Sequence, residues 1–183
     1  NASVSNSVHP IHKLYNDRNI NVLIGSDDGL VEYDIQKRSW RMVSEVDNPS
    51  RSSAERFVYS ITSDEEGGIW IGSYIPSPTM RNRFEMHSAG VGGQKGNVVG
   101  RFAEDARHRI WVATDDAGVD CFDPATDSFV DFPGKQAVAR YNVHGLLAEG
   151  DDLWIGTYGN GIFRMSLSSG ALKPFSAADE NLN

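Results

Sequence analysis

The sequence contains one cysteine, no long apolar run and fewer basic than acidic residues. Cys121 alone cannot form an internal disulfide or a cysteine-based zinc cluster. No segment approaches the roughly 18 consecutive apolar residues of a membrane-spanning helix. With 17 Lys and Arg against 25 Asp and Glu, the net charge is −8. This balance disfavours nucleic acid as a partner, because phosphate binding depends on clustered cations.

The residues that are present suit a folded protein. Hydrophobic residues make up 39% of the 183 residues and aromatic residues 10%, so disorder is not expected. The polar residues 1–10 open on Asn1-Ala2, and we expect them to be a tag scar or linker. The lack of a signal peptide then says nothing about the parent protein.

A five-residue phrase, apolar except for its small last residues, occurs four times. The copies are Val22–Ser26, Ile69–Ser73, Ile110–Thr114 and Leu153–Thr157, and their second residues, each Leu or Trp, are 47, 41 and 43 residues apart. A near-constant period in this range indicates one supersecondary unit that is copied along the chain.

Each copy predicts short strands separated by turns. In the second copy, the apolar segment 58–62 and the phrase at 69–73 flank a turn signal at 64–68. The other copies add a third strand that begins at a Gly and then a short fourth strand. Four short antiparallel strands in about 40 to 45 residues is the period of a propeller blade. We therefore predict an all-β fold, a β-propeller fragment of about four four-stranded antiparallel blades.

The predicted boundaries follow the repeats. They are a tag scar or linker at 1–10, blade 1 at 11–43, an irregular blade 2 at 58–97, blade 3 at 98–132, blade 4 at 143–175, and a linker to a further blade at 176–183. We expect each Trp of the phrase to pack against the next blade, and the Gly after it to allow close approach of backbones.

The phrases resemble two-component regulator propeller repeats. The second copy carries Val58, Ile61, Asp64, Trp70 and Gly72 at the spacing of that family's pattern. Gly156-Thr157 and 159–162 match its second half, and Tyr33-Asp34 and Phe122-Asp123 match its aromatic-Asp step. Two departures occur: Leu23 replaces Trp in the first copy, and segment 74–80 replaces the third strand of the second copy.

The resemblance implies the periplasmic sensor part of a hybrid two-component histidine kinase of the Bacteroidetes type, which detects carbohydrate fragments. It implies a piece of a longer inner-membrane protein, joined to the membrane only through parts outside this chain. An oligosaccharide is then the expected ligand, and neither a cofactor nor a metal is expected.

Catalysis receives little support from the sequence. The five histidines, at positions 9, 12, 87, 108 and 144, lie outside any nucleophile or metal-helix motif, so we interpret them as surface residues. The Asp-rich turns lack the alternating ligands of a calcium loop, and turn chemistry accounts for them. We predict no enzyme and no catalytic residue, with a propeller lyase or glycosidase as the less favoured alternative.

Recognition is the favoured function. The longest irregular segments, 44–57, 74–86, 88–97 and 133–142, share one propeller face and carry seven cations against four acids. Functional loops often occupy such positions on a rigid scaffold. The candidate contacts for an anionic or polyhydroxylated glycan are Arg56, Tyr74, Arg81, Arg83, Arg140 and Tyr158.

Assembly is the alternative. Terminal blades leave apolar packing faces that rarely stay exposed, so four blades would close into a ring or pair as a homodimer. In that case the chain is a structural or dimerisation scaffold without its own ligand. The sequence does not separate scaffolding from ligand binding.

Overall fold

The computed structural model describes residues 11–17, 21–27, 29–43, 57–73 and 98–175. These residues form 14 strands and a single helical turn. The strands are β1 Ile11–Asp17, β2 Asn21–Ser26, β3 Gly29–Asp34, β4 Ser39–Met42, β5 Val58–Ser63, β6 Ile69–Ser73, β7 Val99–Glu104, β8 Ile110–Thr114, β9 Gly118–Asp123, β10 Ser128–Val130, β11 Val143–Glu149, β12 Asp152–Thr157, β13 Gly161–Ser166 and β14 Leu172–Phe175; the helix is α1 Lys135–Val138.

The strands form antiparallel sheets in which neighbours in sequence are neighbours in space. Strands β1–β4, β7–β10 and β11–β14 each make a four-stranded sheet, and β5 and β6 pair. We call these sheets blade 1, blade 3, blade 4 and, for the β5–β6 pair, blade 2. Any further strands of blade 2 fall in segment 74–97, outside the described residues. The all-β propeller prediction is confirmed.

Apolar side chains join each blade to the next. One buried cluster links Leu23 and Leu30 of blade 1 to Val58 and Ile61 of blade 2. Trp70 of blade 2 contacts the Phe122 ring of blade 3, with ring centroids 5.0 Å apart. The largest cluster joins blade 3 to blade 4 around the fully buried Trp111. The predicted role of these Trp residues in packing between blades is confirmed.

The small residue of the phrase allows close contact between blades. A Cβ atom added at Gly72 would lie 2.6 Å from the Val99 carbonyl oxygen and 2.7 Å from its Cγ1 atom. At Gly25 the added Cβ would lie 2.7 Å from Val58 Cγ1. The first strands of blades 2 and 3 therefore occupy the space that a side chain at Gly25 or Gly72 would need.

The connection between blades 3 and 4 differs from the predicted loop. Segment 135–138 forms α1, and Val138 at its end is completely buried in the blade 3–blade 4 cluster. Burial of this side chain explains why the connection folds back onto the sheets. The segment is part of the core rather than a free loop.

The two terminal blades expose apolar side chains. Leu14 of blade 1 is 60% exposed, and Leu147 and Ile162 of blade 4 are 59% and 47% exposed. Within the described residues, the apolar clusters join blade 1 to 2, 2 to 3 and 3 to 4, and none joins 4 to 1. The described blades form an open series.

Candidate functional site

One edge of the sheets gathers the turns between second and third strands and the connections between blades. In blade 4, Val143 pairs with Thr157, and Thr157 pairs with Gly161. The Tyr158 N–H donates to the Asn142 carbonyl over 2.9 Å, so the β12–β13 turn is tied to the incoming connection. We call this edge the upper face. The predicted sharing of a face by these segments holds for the described part of blade 4.

The innermost strand of every blade is irregular at the upper face. The pairing register shifts after the first residue of β1, β5, β7 and β11. The residues at these shifts are His12, Tyr59, Gly100 and His144. A bulge redirects a side chain and is common beside functional sites. One residue per blade thus lies at a break in the register of the first strand.

In blade 4 the residue at the register shift, His144, belongs to a polar cluster that includes an aromatic ring. His144 Nε2 lies 3.5 Å from Asp115 Oδ1, which belongs to the β8–β9 turn of blade 3. The imidazole also packs on the Tyr158 ring, with centroids 5.8 Å apart and planes at 39°. Tyr158 is 75% exposed. We call Asp115, His144 and Tyr158 the upper-face cluster.

A buried acceptor lies beside this cluster. The Oδ1 atom of Asn142 is buried and has no hydrogen-bond partner among the described residues. Asn142 directly precedes β11, and its carbonyl holds the Tyr158 backbone. Buried polar atoms are normally paired, so this oxygen is an exception within the described part of the chain. Together the four residues offer a ring face, a carboxylate, an imidazole and an amide.

The predicted site residues fall into two groups. Arg56, Tyr74, Arg81 and Arg83 lie outside the described residues. Arg140 is exposed and stacks on Tyr141, with its Cζ atom 4.9 Å from the ring centroid, and its Nη2 donates to Tyr141 Oη over 2.8 Å. Tyr158 lies in the upper-face cluster. The structure brings Tyr158 together with His144, which sequence reasoning had treated as an ordinary surface histidine.

Lys135 is not a free loop cation. Its side chain is 13% exposed, and its Nζ atom lies 3.4 Å from the buried Asp120 Oδ1 and 3.0 Å from Asp131 Oδ1. Burial opposes the charged amine, but hydrogen bonding and attraction from both carboxylates outweigh it and raise the pKa of Lys135. Lys135 is one of the seven cations counted on the irregular segments, and its charge is matched by these two carboxylates.

The opposite edge, which we call the lower face, has a structural role that the sequence only partly revealed. Asp105 accepts hydrogen bonds from the backbone N–H groups of Arg107 and Arg109, from the Arg109 Nε atom and from the Trp111 indole. Asp64 accepts from the Gly68 N–H and, over 2.8 Å, from the Trp70 indole. The available signal was an Asp six residues before Trp in both copies.

The fourth copy, whose turn is shorter, replaces this bond. Asp151 accepts from the Ser166 and Ser168 hydroxyls over 2.9 and 2.7 Å. Trp154 lies instead under the Arg164 guanidinium, which is 5.6 Å from its ring centroid and bonds to Asp152 over 2.6 Å. The fourth copy thus keeps the Arg–Trp contact that Arg109 also makes over Trp111 but shows no Asp–Trp bond among the described residues.

Solved structures with a similar fold indicate the class of protein. The structure is similar to the extracellular domain of a putative hybrid two component system from B. thetaiotaomicron, at 18% identity and a TM-score of 0.73, over 93% of this chain and 25% of that one. It is similar to PorZ of the Porphyromonas gingivalis type-IX secretion system, at 13% identity and a TM-score of 0.65, over 98% of this chain and 30% of that one. It is also similar to the dihydro-heme d1 dehydrogenase NirN, at 16% identity and a TM-score of 0.61, over 93% of this chain and 38% of that one. The fold is that of a β-propeller, of which this chain supplies some blades.

The second repeat matches a known family of propeller repeats. The model of the two component regulator propeller matches residues 52–74, which confirms the resemblance at the copy that carries its pattern most completely. The chain spans about a quarter of the length of the first sensor domain it resembles. Among curated proteins, none matches this sequence. Within the described residues, no helix is long and apolar enough to cross a membrane.

Proposed function

We propose that this chain is part of the periplasmic sensor region of a hybrid two-component protein and that its upper face contacts a carbohydrate ligand. The observation that carries the proposal is the exposed Tyr158 ring beside His144 and Asp115. An exposed aromatic face with polar groups at its edge suits a sugar ring, which has apolar C–H faces and equatorial hydroxyls. The similarity to extracellular domains of putative two component and one component systems supports the sensor role.

The charges of the described part favour a neutral ligand over a sulfated one. Lys135 is neutralised by two carboxylates, and Arg140 is held on Tyr141. Asp115 brings a carboxylate to the cluster itself, and a carboxylate repels an anionic ligand while accepting hydrogen bonds from hydroxyls. We therefore narrow the earlier expectation of an anionic or polyhydroxylated glycan to a polyhydroxylated one at this cluster.

Isothermal titration with neutral and sulfated oligosaccharides tests this function. We expect saturable heat with a neutral oligosaccharide, loss of binding in Tyr158→Ala, and partial retention in Tyr158→Phe, which keeps the ring. Arg107→Ala, exposed on the lower face, is the matched control and should bind normally. Heat equal to buffer dilution for every oligosaccharide, with the parent sensor as well as this chain, would contradict the proposal.

Self-association is the second candidate, because both terminal blades expose apolar side chains. Leu147 and Ile162 of blade 4 are about half exposed, and Leu14 of blade 1 is 60% exposed. Exposed apolar patches commonly mark contact surfaces. Light scattering should give a dimer mass that falls to the monomer mass in Leu147→Glu. A monomer at all concentrations would remove the scaffold alternative. Binding heat in a monomeric chain would favour the ligand role.

We propose a binding rather than a catalytic role. The similar structures include sensor domains and one dehydrogenase, so the fold itself is compatible with either. The upper-face cluster contains one carboxylate, whereas hydrolysis of a glycosidic bond normally uses a pair. A glycosidase assay on the same oligosaccharides, read by release of reducing ends, should remain at background.

A further inference from the structure

Three potential metal ligands from two blades meet at the lower face. Glu65 belongs to the β5–β6 turn of blade 2, while Glu104 ends β7 and His108 lies in the β7–β8 turn of blade 3. One ligand atom from each residue lies within 4.8 Å of the other two. Residues 65 and 104 are far apart in sequence, so only the packing of the two blades brings them together.

The distances suit one small cation. His108 Nδ1 lies 2.8 Å from Glu104 Oε1 and 3.8 Å from Glu65 Oε2. Ligands of a tetrahedral zinc ion, bound at about 2.0 to 2.2 Å, are separated by roughly 3.3 Å. The two observed separations lie on either side of that value. Glu65 and His108, whose ligand atoms would have to move closer together, both have exposed side chains.

The ligand types indicate which metal would bind. Imidazole with carboxylates suits zinc and similar divalent transition ions, whereas calcium takes six to eight oxygens. Two carboxylates with a neutral imidazole balance a divalent charge. Without a metal, the histidine instead forms an ion pair: hydrogen bonding to Glu104 raises the pKa of His108, although partial burial opposes this.

We propose that Glu65, Glu104 and His108 form a binding site for a zinc-type divalent cation that clamps blade 2 to blade 3, with the remaining coordination position open to water. Glu104 is already held in place, because its Oε2 atom accepts the Glu65 backbone N–H over 2.8 Å. The cation would replace the proton that His108 shares with the carboxylates. The site lies on the lower face, away from the upper-face cluster, and is independent of the proposed sugar binding.

Zinc titration of the complete metal-free chain tests the proposal, with calorimetry and thermal melting as readouts. We expect saturable binding of one zinc ion per chain and a rise in melting temperature, since a ligand that binds only the folded state stabilises it. The His108→Asn variant should lose both effects. Asn tolerates the left-handed backbone at this position, where φ is 60°, so the turn keeps its conformation.

Two further variants make the result specific. Glu65→Gln, at a side chain 74% exposed, should also lose zinc binding without lowering the metal-free melting temperature. His144→Asn is the matched control, because it removes another histidine that faces a carboxylate, and it should bind zinc as the unchanged chain does. The absence of saturable binding, its persistence in His108→Asn, or its loss in His144→Asn would each overturn the proposal.

Discussion

The carboxylate of Asp105 accepts a hydrogen bond from the indole nitrogen of Trp111 over 2.9 Å, and the Trp is completely buried. Asp105 is itself only 6% exposed. Burial opposes its charged form, but hydrogen bonds from the Trp111 indole, the backbone N–H groups of Arg107 and Arg109, and the Arg109 side chain outweigh it and lower the pKa of Asp105 below 3.8. The turn, the indole and the core between blades 3 and 4 are thus connected through one side chain.

Replacement of Asp105 should be strongly destabilising. Asp105→Ala leaves a buried indole N–H and the Arg109 guanidinium without their acceptor, which we expect to cost about 2 to 4 kcal/mol of unfolding free energy. Asp64→Ala removes the corresponding bond to the less buried Trp70 and should cost less. Urea unfolding of both variants measures the difference, and equal losses would show that burial of the pair is unimportant.

The same carboxylate predicts a pH dependence. Because the pKa of Asp105 is lowered in the folded state, its stabilisation is complete above pH 3.8, the ordinary value, and is lost as the pH falls through the folded-state value. The unchanged chain should therefore lose stability more steeply in acid than Asp105→Asn does. Parallel acid-unfolding curves, followed by tryptophan fluorescence, would contradict this assignment.

Equivalent glycines in different blades should respond differently to a methyl group. Gly72→Ala places a Cβ atom against the Ser60 hydroxyl of the same blade and against Val99 of the next, and such overpacking costs about 1 to 3 kcal/mol. At Gly156, the nearest atom to an added Cβ is the Cα of Gly145 at 3.5 Å, an ordinary contact. Gly156→Ala should therefore change the melting temperature of the isolated chain little. A large loss in Gly156→Ala would show that another surface covers blade 4.

Lys135 should contribute to stability through Asp120. Lys135→Ala removes a cation from beside a carboxylate that is only 3% exposed, and we expect a loss of about 1 to 3 kcal/mol. Lys37→Ala is the control, because its salt bridge to Asp34 involves a side chain 80% exposed and should contribute much less to stability. Chemical denaturation of the two variants provides the comparison. Similar small losses would mean that Asp120 does not depend on Lys135.

Cys121 should be unreactive in the folded chain. Burial raises the pKa of its thiol from 9.0 to about 12. At about pH 8 a thiol reagent should react slowly until denaturant is added, since the thiolate is the nucleophile. The unfolded thiol ionises from pH 9 and the folded one near 12, so stability should fall as the pH rises through this interval. Cys121→Ala should lack that part of the decline.

The repeat itself could be predicted because its signal is local. The spacing of the phrase and of the Asp before Trp70 and Trp111 identified the strands, the turns and the propeller class, since alternation and turn residues act over a few positions. The sequence showed the Asp before Trp70 and Trp111 but not its hydrogen bond to the indole. An Asp that only forms a turn and an Asp that also accepts from an indole look alike in sequence. The helical turn at Lys135–Val138 was missed because one buried side chain, Val138, decides it.

The number of repeats, their antiparallel strands and the family they resemble follow from local sequence patterns, because each depends on residues close together in the chain. Tertiary structure alone decided which side chains meet: Asp115 reaches His144, and Glu65 reaches Glu104 and His108, across the contacts between successive blades. It also decided that Lys135 is neutralised. The shift of register in β11 and the packing of one sheet on the next fix these contacts, and no local sequence pattern encodes them.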